Sequence, residues 1–134
     1  MITTRETFRK AERLCSRKTI EYLFGYGNSF YTAFFKVIWA ETELNSPFPA
    51  RVALMVPKKG ISRAVSRNLL KRRMKEAYRR NKYFLYEFLN SENIRIALIV
   101  IFRKEKVEEY TILETAVNEL LNKLIKTIKQ SAAK

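Results

Sequence analysis

Residues 62–82 read SRAVSRNLLKRRMKEAYRRNK, with nine Arg or Lys residues and a single acid, Glu76. Apolar residues run through the same stretch at spacings of three and four. With Leu70 at the centre of one helical face, about 100° per residue brings Met74, Ala77, Leu85 and Phe88 beside it. Asn68, Lys71, Arg72, Lys75, Arg79 and Lys82 fall on the opposite side. The pattern predicts one amphipathic helix over 63–89, with one side committed to a core and the other strongly basic.

The flanking segments say what that core is. RVALMVP, 51–57, reads as a strand, with Pro57 at its end, where a missing N–H is tolerated. IRIALIVIF, 94–102, is almost continuously apolar, as in a strand covered on both faces. A β–helix–β segment over 51–102 predicts neighbouring parallel strands. Upstream, RKTIEYLFGY, 17–26, places Ile20, Leu23 and Phe24 on one side of a short helix that Gly25 or Gly27 ends. FYTAFFKVIWAE, 30–41, is aromatic and β-branched and reads as one strand, with Trp39 given to the core. The polar loop TELNSPFP follows, and a further strand is allowed in 41–50. Thr111-Ile112-Leu113-Glu114 has the form of a capping box opening a last helix. Its apolar stripe is Leu113, Val117, Leu120, Leu124 and Ile128. The order is that of a single α/β sandwich.

Composition bounds what such a domain does. The 134 residues suit one domain, and 47% hydrophobic with 13% aromatic residues is enough for a core. Twenty-seven Lys and Arg against 13 acids give a net charge of +14, a field that favours RNA, DNA or an anionic membrane surface. There is no His, and every acid is Glu. The usual neutral-pH general base is therefore missing, and so is a tight carboxylate cluster for metal-dependent hydrolysis. Self-contained catalysis is not expected. Cys15, the lone cysteine, excludes an internal disulfide and is expected to be a small semi-buried residue. MITTRETFRKAERL has no apolar core of signal-peptide length, and Ile96 to Phe102 is too short to span a bilayer. A soluble cytoplasmic protein is the expectation.

The charge is clustered. Lys58, Lys59, Arg63 and Arg67 carry the basic face into the strand–helix connection, next to helix-start N–H groups that suit phosphate. Arg forks there are able to clamp phosphate oxygens bidentately. A membrane-surface helix needs its apolar face free for lipid, and here the core claims it. No helix-turn-helix spacing is present, so RNA is favoured over DNA.

VPKKGISRAVSRNLLKRRMKEAY, 56–78, resembles the signature of the bacterial ribonuclease P protein subunit. In that family a strand ends in a Lys pair, and a basic helix follows after a short connection. Lys58-Lys59, Arg67-Asn68 and Lys71-Arg72 match its spacing. RLCSRKTIEYLFGYGNSF, 13–30, is similar to the family's Arg-Leu start, aromatic helix and Gly turn. The likeness covers about 8–128. Leu69 stands where the family has an Arg, and Ile20 where it often has a Phe.

The resemblance implies a single-domain α+β fold over 1–134, an α/β sandwich of αβββαβα order with a left-handed βαβ crossover. It implies a protein subunit whose partner, a catalytic RNA, removes the 5′ leader of precursor tRNA with Mg²⁺ held mainly by RNA and substrate. No catalytic or metal-binding protein residue is expected, and no obligate protein partner. Lys58, Lys59, Arg63, Arg67, Asn68, Lys71, Arg72 and Lys75 would contact the RNA subunit. A cleft between the first helix and the sheet would receive the leader, lined by Ile20, Phe24, Lys36 and Ile38, with Phe35 admitted if the register shifts by one. Two other readings remain open at this point: a structural RNA binder of ribosomal or ribosome-assembly type, and a basic helix acting at anionic membranes.

Overall fold

In a computed structural model, which describes residues 10–43 and 47–132, the apolar run near the C-terminus becomes the strand around which the rest is arranged. A 3-10 turn, Lys10–Glu12, precedes helix α1, Arg17–Tyr26. Strands β1, Asn28–Tyr31, β2, Phe35–Glu41, and β3, Ala50–Met55, follow. Helices α2, Ala64–Asn81, and α3, Tyr83–Ser91, lead to β4, Ile96–Phe102, and helix α4, Tyr110–Ala132, comes last. The sheet order is β1-β2-β4-β3. β2 is antiparallel to β1 and to β4, and β3 is parallel to β4, as the β–helix–β segment predicts.

Alternation along the strands sorts side chains between two layers. Phe35, Val37 and Trp39 of β2 join Ile96, Leu98, Val100 and Phe102 of β4 under the helical layer. Leu70, Met74 and Ala77 of α2 close that core, together with Leu113, Val117, Leu120, Leu124 and Ile128 of α4. The opposite face carries a smaller cluster in which Leu14 and Leu23 cover Ile38, Ala40, Ala97 and Ile99. Burial on both faces of β4 explains its unbroken apolar sequence. α1 begins at Ser16, whose hydroxyl accepts from Thr19 N–H at 3.3 Å. It ends at Gly27, where an added Cβ would lie 2.7 Å from both Ile38 Cγ2 and Leu23 O, so only glycine fits.

Several expectations change. The 30–41 stretch is two strands joined at Thr32–Phe34, so the extra strand lies at 28–31. No strand forms among the described residues of 42–49, and 44–46 lie outside them, as does the expected start of the core near residue 8. The hairpin closes through Thr32, whose N–H donates to Phe35 O at 2.8 Å while its Oγ1 accepts from Phe35 N at 3.1 Å.

The helix expected over 63–89 breaks at Lys82. Asn81 turns its amide back to Ala77 O at 2.8 Å and across to Glu114 Oε2 at 2.9 Å, competing with helix continuation. Lys82 then points inward, 5% exposed, and forms an ion pair with the fully buried Glu12. It does not belong to the solvent face. Tyr86 OH also donates to Glu12 Oε1 at 2.6 Å, and Tyr78 OH donates to Tyr86 OH at 3.3 Å. Thr111 is the second residue of α4, not its cap, and Glu114 accepts from Asn81 instead of closing a capping box. Cys15 is exposed, because it sits between the strand-like bridge of Arg13 to Val52 and the cap of α1.

Candidate nucleic-acid interface

The basic strip starts where β3 runs out. Residues 58–60 form a tight turn, closed by Ile61 N–H donating to Pro57 O at 3.2 Å. Gly60 packs so near the β4–α4 loop that a Cβ would approach Lys104 O to 3.1 Å. Lys58 and Lys59 are thereby held out to solvent beside that loop. Arg63 is the N-cap residue of α2 and contributes no side-chain cap. Its helix-start N–H groups thus lack that partner, which suits an anion.

Along α2, Asn68, Lys71, Arg72 and Lys75 recur at three- and four-residue spacing and are all exposed. None of Lys58, Lys59, Arg63, Lys71, Arg72 or Lys75 forms an ion pair among the described residues. Glu76, the acid within this helix, is engaged by Arg79, with Nη2 to Oε2 at 2.5 Å. That hydrogen bond from Arg79 holds the Glu76 carboxyl below its ordinary range.

Arg67 stands apart from its neighbours. It is half-buried, and its Nη1 donates to Ile61 O at 3.0 Å and Ser62 O at 2.7 Å, fixing the connection that carries Lys58 and Lys59. Arg73 ties α2 to the segment before α4 through Glu108 O at 2.5 Å. Arg73 is therefore occupied, and does not stand in for an arginine at Leu69.

The second surface lies on the α1 side of the sheet. Ile20 is half-buried, Phe24 is 53% exposed, and Lys36 is half-buried on the same face of β2 as Ile38. Ile38, 3% exposed, is floor rather than lining. Phe35 is excluded: it is 0% exposed on the opposite face, against Phe102, as alternation requires. Pairing register adds residues that sequence reasoning missed. Tyr31, Lys36, Ile101 and Met55 form one row across β1, β2, β4 and β3. Arg103 lies just past the end of β4, two residues beyond Ile101, with its guanidinium 4.7 Å from the Tyr31 ring. The alternation signal for Tyr31 exists in the sequence, but only once the hairpin is known.

Fold and surface together define a class: a small α+β protein whose cationic helix face is left unneutralised for a polyanion. The family model described as Ribonuclease P matches residues 8–125. The ribonuclease P protein component of Porphyromonas gingivalis is 29% identical over 125 residues, covering 93% of this chain and 91% of that protein. The component from Thermotoga maritima is 30% identical over 125 residues, covering 92% and 97%. A solved structure of the RNase P protein from Thermotoga maritima matches with a TM-score of 0.63 at 29% identity, over 86% of this chain and 96% of that one.

The chain belongs to the ribonuclease P protein family. It is the RNA-binding protein part of a ribonucleoprotein endoribonuclease in tRNA 5′ processing, and its partner is the ribonuclease P RNA.

Proposed function

We propose that the two surfaces divide the work of positioning. Lys58, Lys59, Arg63, Asn68, Lys71, Arg72 and Lys75 contact phosphates of the catalytic RNA, while Arg67 holds their connection in place and adds its own charge. The cleft of Ile20, Phe24 and Lys36 over Ile38 receives the single-stranded 5′ leader of precursor tRNA. An exposed aromatic stacks on unpaired bases without demanding sequence, and a lysine tracks the backbone. The observation that carries this reading is the row of exposed cations with no acidic partner among the described residues. Such a row repels itself until a polyanion arrives and releases the condensed counterions.

The chemistry belongs to the RNA. Among the described residues no group of three or more His, Cys, Asp or Glu side chains converges. In this reading Mg²⁺ is held mainly by the RNA and the substrate. No helix among the described residues is long and apolar enough to cross a membrane, and the apolar side of α2 is buried in the core. That leaves no apolar face on α2 for lipid. The cytoplasm is where this reading puts the protein.

Reconstitution tests the proposal. The protein alone should cleave nothing, and with its cognate RNA at low Mg²⁺ it should restore leader removal from precursor tRNA. Failure to rescue that RNA would favour a structural RNA binder.

A further inference from the structure

Tyr31 is an exposed polar aromatic whose backbone carbonyl and ring both meet cations from other parts of the chain. It lies on edge strand β1, 51% exposed, on the same sheet face as Lys36 and the α1 cleft. Two elements pin its backbone. Lys123 Nζ of α4 donates to Tyr31 O at 2.8 Å, and Arg103 Nη1 donates to Thr32 O at 2.7 Å. Two cations flank its ring, the Arg103 guanidinium at 4.7 Å and the Lys36 ammonium at 5.7 Å. Lys36 reaches it from the neighbouring strand β2 and Arg103 from just past the end of β4, and about half of Tyr31 stays open to solvent.

We propose that Tyr31 with Arg103 forms a stacking platform for an unpaired nucleotide at the far end of the leader cleft. The base lies on the exposed ring, and its phosphate meets the N–H donors of Arg103 that Thr32 O does not use. A guanidinium has five donors, so one bond to a carbonyl leaves a usable fork. The ring and the cation are ordered before any nucleotide arrives, so little freedom is lost on binding. The platform sits three strand spacings from Met55, which ends β3 just before Lys58 and Lys59, a span of roughly 14 Å. In the proposed arrangement a nucleotide there lies farther along the leader than those at Phe24 and Ile20. This inference rests on the proposed reading of the cleft and adds to it a leader-length dependence.

The test measures affinity of the holoenzyme, assembled with the cognate RNA, for precursors whose leaders are lengthened one nucleotide at a time, under conditions that suppress cleavage. Tyr31→Ala should leave short-leader and mature tRNA affinity unchanged and weaken long-leader precursors by about tenfold, in line with one lost base–aromatic stack. Tyr31→Phe should retain wild-type affinity, because the stacking face survives. Arg103→Ala should act in the same leader-length window and reduce the salt dependence there. An equal loss at every leader length, no loss at any, or Tyr31→Phe failing together with Tyr31→Ala would overturn the platform. Phe24→Ala in the same series separates the two claims. Leader-specific loss with Phe24→Ala but none with Tyr31→Ala sinks the platform alone. A wild-type holoenzyme indifferent to leader length sinks the cleft reading and the platform together.

Discussion

Ten of the eleven cations of residues 58–82, all but Arg80, divide into two populations that look alike in sequence and behave differently in the fold. Arg67, Arg73, Arg79 and Lys82 are committed internally, to loop carbonyls, to Glu108 O, to Glu76 and to Glu12. Lys58, Lys59, Arg63, Lys71, Arg72 and Lys75 point to solvent and pair with no acid among the described residues. The first population shapes and orients the strip. The second is the strip. A net charge of +14 therefore overstates the field available to RNA at this surface, and the placement of each charge matters more than the sum.

The largest effect that would break this division concerns Lys82. Lys82→Ala leaves Glu12 buried without its cation, and should cost about 3–5 kcal/mol of stability. Urea unfolding reads it directly. A variant of normal stability with weakened RNA binding would move Lys82 into the outer population. Glu12, Tyr86 and Tyr78 extend the same buried network, and there pH is the probe. Burial pushes both phenols well above the usual 10.0. Their neutral form is favoured in the fold, so stability is complete below pH 10 and falls above it, when only the unfolded chain ionises. The fall should approach about 1.4 kcal/mol per pH unit for each phenol, and Tyr78→Phe should flatten it. An alkaline unfolding curve unchanged by Tyr78→Phe would mean that its hydroxyl is not buried as described.

Arg67→Lys sharpens the comparison from the middle, since Arg67 is half-buried and close to both populations. The charge remains while the fork onto Ile61 O and Ser62 O is lost, costing about 1 kcal/mol. RNA affinity should drop modestly with little change in its salt dependence. If the salt dependence flattened as much as for Lys71→Ala, Arg67 would be a phosphate contact first and a loop anchor second.

Much of this was legible from local pattern. An unbroken apolar run located β4, and period-3.6 spacing located the α4 stripe and the buried side of α2. The features that escaped depend on partners distant in sequence or on turns without turn residues. Thr32-Ala33-Phe34 contains no Gly, Pro or Asn, and its aromatic flanks continue the strand signal, so the hairpin was invisible. The inward turn of Lys82 requires Glu12, far upstream, and no helical wheel includes it. Phe35 was admitted to the cleft only through an uncertain register, and the sheet pairing removes it. Lys71, Arg72 and Lys75, which the helical wheel sets opposite the apolar side, are exposed, whereas Lys82 on the same side of the wheel is not. Leu69 stands where the resemblance implies an arginine, and Arg73, one turn on, is engaged by Glu108 O.

The central claim is that position, not total charge, selects RNA, and one measurement addresses it. Two double variants remove the same charge: Lys71→Ala with Arg72→Ala, and Arg73→Ala with Arg79→Ala. The salt dependence of binding to the ribonuclease P RNA is compared for the two folded proteins. The outer pair should lower the slope of log affinity against log salt by about 1.5, given roughly 0.7–0.9 per phosphate contact. The inner pair should leave that slope at its wild-type value. Equal flattening by both would contradict the account and reduce the strip to net charge alone.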